Sequence, residues 1–115
     1  MEPTTPTFTA IQKAVDDWIG QFEEGYWPPL SLLAALVEET GELAREINDK
    51  EGYKKKRVPD NANIGLEIAD VLFSLVCLAN HYHIDLDAAF KTVLEKYTKR
   101  DMNRWTRKKN AVGDH

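Results

Sequence analysis

Apolar residues recur at helical spacing along most of the chain. Ile11, Val15, Trp18, Ile19 and Phe22 fall on one face of a first helix, which Thr7 can cap and which is predicted to run to about Glu24. "EGYWPP" then interrupts the pattern, because prolines cannot continue a helix but can open the next one. A second helix is predicted from about Pro29 to Lys50. "KEGYKKKRVPDNAN" is the one loop of any length, punctuated by Gly52 and Pro59. A third helix is expected from about Ala62 to His81, and Asp85 is placed to cap a fourth from Leu86 to about Arg100, with "RDMNRW" extending it or fraying. No segment alternates with period two. The expectation is an all-α protein, a four-helix bundle with short connections.

The third helix departs from the others. "IADVLFSLVCLA" is apolar almost all round, so one neighbouring face cannot bury it. A chain of 115 residues has too little surrounding material to do so. A homodimer, or a tetramer built as a dimer of dimers, is therefore expected, with helix faces as the interface.

A single domain is expected over 1–115, with its core at 8–105 and a basic, flexible tail at 106–115. The net charge of −4 argues against nucleic acid polymers and membrane surfaces as partners. The lone cysteine, Cys77, excludes an internal disulfide and reads as a small buried hydrophobe. "MEPTTPTF" lacks the basic region and apolar core of a secretory leader. The longest uninterrupted apolar run, Val71 to Ala79, falls short of the roughly 20 residues that span a bilayer. A cytoplasmic protein is the expectation.

Against this ordinary background stands "LVEETGELAREI", residues 36–47. Its apolar positions mark a packed helix, yet Glu38, Glu39 and Glu42 crowd into little more than one turn around Gly41. A mid-helix glycine costs about 1 kcal/mol relative to alanine. Glu39 and Glu42, at i and i+3, share a face, and Glu67 and Asp70 repeat that spacing on the third helix. Antiparallel packing of the two helices would bring four carboxylates together in a low-dielectric site, a costly arrangement unless a cation belongs there. With no His or Cys in the set, the site suits Mg²⁺ or Mn²⁺ rather than zinc. A di-iron bundle would want Glu-x-x-His pairs, and His81 and His83 are wrongly spaced for them and expected at the surface. Gly41 is expected where a neighbouring backbone approaches closely beside the metal.

At these residues the chain resembles the MazG-like all-α nucleoside triphosphate pyrophosphohydrolases, a superfamily that includes dimeric dUTPases, dCTP pyrophosphatases and phosphoribosyl-ATP pyrophosphohydrolases. The motifs are "EETGELAREI" and "EIADVLFSLVCLA". "DWIGQF", "HIDLDAAF" and "EKYTKRDMNRW" extend the likeness over about residues 8–105, in the manner of short single-domain members. The resemblance implies that Glu39, Glu42, Glu67 and Asp70 bind Mg²⁺, and that a (d)NTP is cleaved to its monophosphate and pyrophosphate in nucleotide-pool house-cleaning. It implies that Glu38 poises the attacking water or joins a second metal site. It also places Trp18 near the nucleobase, with Gln21 in reach of a base edge, and it assigns phosphate contacts to Lys96, Arg100 and Arg104. Lys54 to Arg57, on the loop between the acidic helices, are open to two readings, a lid or solvated charge. Two alternatives stand beside this one: phosphoribosyl-ATP hydrolysis, and a non-catalytic bundle that binds Mg²⁺-nucleotide.

Overall fold

The computed structural model describes residues 7–52 and 61–109. They form four α-helices, α1 (Phe8–Ile19), α2 (Pro29–Glu51), α3 (Asn61–His81) and α4 (Leu86–Asp101), and no strand occurs among the described residues. The all-α expectation holds. The chain divides into two compact units, one ending at Asp85 and one beginning at Leu86, so α1 to α3 are described together and α4 by itself. Lys54 to Arg57 lie outside the described residues.

Local chemistry sets the helix ends. The Thr7 hydroxyl accepts a hydrogen bond from the Ala10 amide at 3.0 Å, the N-cap that the sequence suggested. α1 stops at Ile19, short of the predicted Glu24. Gly20 caps it by donating its N–H to the Asp16 carbonyl at 2.8 Å, and the chain then turns tightly, Phe22 to Ile19 and Gly25 to Phe22. Gly25 takes φ 63°, a left-handed conformation open to glycine at little cost. Phe22 therefore leaves the helix and meets Trp18 from the turn. α3 ends with His83 at φ 55° and the Ile84 N–H donating to the Ala79 carbonyl at 2.8 Å, a Schellman-type stop. His83 serves there as the left-handed residue, and histidine is among the side chains that tolerate this region.

The first unit is organised by α3. Glu46 and Glu42 of α2 lie near Glu67, Glu39 lies near Asp70, and Leu32 and Ala35 share a cavity with Phe73, Ser74 and Cys77. As numbering rises on α2 it falls on α3, so the two are antiparallel. α1 also runs against α3, with Gln12 bonded to Asn80 and Trp18 against Phe73.

Leu32, Val76, Cys77 and Ala79 form the buried apolar centre. Much apolar surface stays open: Ile68, Leu72 and Leu75, at i, i+4 and i+7 on α3, are each more than 40% exposed. One sequence expectation needs correcting. The stretch Asn63–His81 of α3 is long and apolar enough to cross a membrane by length and composition, with a mean hydropathy of 1.5. The uninterrupted apolar run begins only after Asp70, whereas the longer stretch includes two acids, Glu67 and Asp70. An acid at bilayer depth costs about 2.5–3.5 kcal/mol. Glu67 and Asp70 instead meet Glu39 of α2.

Candidate active site

α2 presents Glu39, Glu42 and Glu46 at i, i+3 and i+7, and α3 presents Glu67 and Asp70 at i and i+3, so helical periodicity alone gathers them where the two helices meet. One carboxylate oxygen each from Glu39, Glu67 and Asp70 lies within 4.8 Å of the others. Glu42 stands beside both Glu39 and Glu67 but outside that trio. Glu39 and Glu67 are half-buried, and the Oε2 atom of each is sealed from solvent without a hydrogen-bond partner.

The electrostatics follow from this crowding. Burial raises the Glu39 carboxyl above the ordinary glutamate range, and Glu42, Asp70 and Glu67 push it further. Burial likewise raises Glu67, followed by Glu42, Asp70 and Glu46. Buried carboxylate oxygens in native proteins are almost always partnered. Two orphaned oxygens in an all-oxygen donor set fit a hard divalent cation such as Mg²⁺ or Mn²⁺.

A cavity of about 490 Å³ adjoins the cluster, and Glu39 forms part of its wall. Trp18 is its aromatic hub, with Phe22 edge-on at 5.2 Å and 70° and Phe73 at 6.0 Å and 81°. The turn Glu24–Trp27 closes one side, while buried Ser74 and Cys77 line the inner part. Burial raises the Cys77 thiol, in keeping with a small hydrophobe rather than a thiolate. The cavity is a concave apolar slot with Glu39 of the acidic cluster in its wall, the usual form of a small-molecule site.

The other sequence candidates fall in varied places. Glu38 is exposed, one position before Glu39. Gln21 is exposed in the turn after α1 and does not line the cavity. On α4, Lys96 sits 5.7 Å above the Tyr97 ring. Arg100 stacks on the same ring at 4.8 Å and pairs with Asp101 through two 2.9 Å bonds. Arg104 lies beyond the end of α4, 3.5 Å from Asp101, rather than continuing the helical face. Gly41 is a correction: a Cβ there would meet nothing within 4 Å, so no neighbouring backbone explains it. Tyr26, Phe73 and Ser74 were missed. Ser74, a hydroxyl within "DVLFSLVCLA", was the available signal.

Comparison with known proteins identifies the family. A family model described as the MazG nucleotide pyrophosphohydrolase domain matches residues 28–105. YpjD of Bacillus subtilis (strain 168) is 52% identical over 106 residues, covering 91% of this chain and 96% of its own. The dCTP pyrophosphatase 1 of Rattus norvegicus is 33% identical over 104 residues, covering 86% of this chain and 58% of the relative. The crystal structure of YPJD from Bacillus subtilis superposes with a TM-score of 0.78 at 49% identity, covering 83% of this chain and 98% of that one. A Bacillus-conserved MazG protein, a nucleotide pyrophosphohydrolase, gives a TM-score of 0.72 at 45% identity, covering 90% of this chain and all of that one. The chain belongs to the MazG nucleotide pyrophosphohydrolase family.

Proposed function

We propose that this chain hydrolyses a (d)NTP to the (d)NMP and pyrophosphate with Mg²⁺ or Mn²⁺ as cofactor, in clearing surplus or non-canonical nucleotides from the cytoplasm. The observation that carries the reading is the trio Glu39, Glu67 and Asp70, with two orphaned oxygens, joined through Glu39 to the wall of an aromatic cavity. The dCTP pyrophosphatase activity named for the rat relative makes pyrimidine deoxynucleotides the first substrates to try.

Glu39, Glu67 and Asp70 would hold the ion, with Glu42 as the adjacent fourth carboxylate. Bound there, the ion supplies charge neutralisation and Lewis acidity toward a phosphoanhydride. The protein's own part is placement. Trp18 and Phe73 offer faces and edges for a nucleobase, and stacking of this kind is worth about 1–3 kcal/mol per base. Holding the base fixes the triphosphate beside the acidic cluster, where orientation lowers the barrier. Glu38, exposed next to Glu39, takes the proton of the attacking water on its carboxylate. On the sequence resemblance Lys96, Arg100 and Arg104 are proposed for the phosphates, and Gln21, which stands outside the cavity lining, is proposed for a base edge. The open apolar face of α3 supports assembly as a homodimer or tetramer.

The test is incubation with a panel of (d)NTPs and Mg²⁺ or Mn²⁺, following monophosphate and pyrophosphate. Paired release of both products is the expected result. Turnover of phosphoribosyl-ATP alone, or binding without turnover, would replace this reading.

A further inference from the structure

Asn80 stands near the end of the largely apolar C-terminal half of α3. Asn80 is half-buried, and both its nitrogen and its oxygen are engaged. Its Nδ2 donates to the Gln12 backbone carbonyl at 3.0 Å and to Tyr26 Oη at 2.9 Å, while its Oδ1 accepts from Gln12 Nε2 at 2.9 Å. Tyr26 Oη in turn donates to Asp16 at 2.7 Å, and Gln12 Nε2 also donates to the Ile84 carbonyl at 2.7 Å. This network joins α1, the α1–α2 turn and the end of α3. Burial, then the hydrogen bond to Asp16, pushes the Tyr26 phenol up to about 12, so it remains a protonated donor at any ordinary pH.

Tyr26 has two sides. Its hydroxyl belongs to the network, yet the residue also lines the aromatic cavity together with Gly25 and Trp27 of the same turn. The chain leading from α1 into that turn is tied by the Phe22–Ile19 and Gly25–Phe22 backbone bonds. Asn80 is ten residues beyond Asp70 along α3, about 15 Å at the helical rise, too far to touch a phosphate held by the acids.

We infer that Asn80, acting through Tyr26 and Asp16, is a positioning residue that holds the Glu24–Trp27 turn as the wall of the nucleotide's base pocket. The inference rests on the nucleotide-hydrolysis reading above. Freeing the turn lowers the fraction of molecules whose pocket is formed, and apparent affinity falls with that fraction. Chemistry at the acidic cluster, once substrate is bound, is unaffected. The signature is therefore a rise in KM with kcat retained.

The test uses the full chain with Tyr26→Phe, which keeps the ring and removes the hydroxyl, and Asn80→Ala. Amide hydrogen exchange is followed across residues 20–28, alongside KM and kcat for the preferred nucleotide. Each variant removes at least the shared Asn80–Tyr26 bond, so each is expected to speed exchange in that segment and to raise KM about fivefold or more, with kcat within about twofold. Because the two residues share one bond, the double variant should show less than the product of the single effects. Unchanged exchange in Tyr26→Phe would overturn the latch. Faster exchange with unchanged KM, or an equal fall in kcat, would overturn its role toward substrate. Wild-type protein that turns over no nucleotide would instead sink the hydrolase reading and with it the substrate half of the inference, while the exchange measurement still decides whether Asn80 holds the turn.

Discussion

Glu39 on α2 and Glu67 on α3 each bring a carboxylate oxygen within 4.8 Å of the other, and each keeps its Oε2 buried with no hydrogen-bond donor. In the metal-free protein this is a repulsive contact between helices that otherwise attract each other through apolar surface. Removing one charge separates stability from function. Glu67→Gln is expected to raise the melting temperature of the metal-free protein and to lower nucleotide turnover by about 10²-fold or more, the scale seen when one preorganised electrostatic element is lost. Thermal melts in chelator, with product release under Mg²⁺, check both halves. A variant that melts lower and hydrolyses normally would remove Glu67 from the site.

The same pair dictates a pH dependence. Glu39 and Glu67 are both raised in the folded state, burial being the first cause for each. A raised carboxyl binds its proton more tightly folded than unfolded, so protonation favours the fold. Stability of the metal-free protein should rise as pH falls from neutral through the raised values toward the ordinary glutamate range near about 4.3. Mg²⁺ replaces the proton as counter-charge, so its stabilising effect should be largest at neutral pH and fade as pH falls. Melting temperature against pH, with and without Mg²⁺, measures the crossover. A metal-free protein that loses stability steadily from pH 7 to 5 would contradict this sign.

The acidic site was legible in the sequence because the helical period fixes which residues share a face. Two i, i+3 acid pairs in apolar helices need no long-range information beyond antiparallel packing. The cavity was not legible in the same way. Phe73 and Ser74 come from α3, Trp18 from α1 and Tyr26 from the turn between α1 and α2, and no local pattern announces that these meet. Phe22 misled the reading of α1, since its spacing continued the helical stripe past Gly20 while the backbone had already turned. Gly41 misled it differently: the rarity of mid-helix glycine suggested crowding, and the position is open.

Trp18 is 53% exposed although it is the hub of the aromatic cluster, so one face is available to a ligand. If a nucleobase stacks there, Trp18→Ala forfeits about 1–3 kcal/mol of base stacking, or roughly 5- to 150-fold in KM. The Trp18 indole should also report binding by fluorescence quenching on nucleotide addition. Trp18→Phe keeps an aromatic face and should recover most of the loss. Equal KM values for Trp18→Ala and the parent would remove the base from this cavity.

Ile68, Leu72 and Leu75 form an exposed stripe at i, i+4 and i+7 on α3. Contiguous apolar surface of this kind on a small chain marks a site of protein contact. A second copy is the simplest cover, since a two-fold axis would set the stripe against itself. Sedimentation or light scattering should then give a mass at least twice that of the 13.1 kDa chain. Leu72→Lys would place like charges opposite each other at such an interface, cost several kcal/mol there, and shift the protein toward monomer. Because Glu67 and Asp70 occupy the same helix, the monomer should also lose metal-dependent activity, by loosening the face that carries them. A wild-type monomer at micromolar concentration would leave the stripe open to another partner, and vesicle flotation would then test whether α3 meets lipid instead.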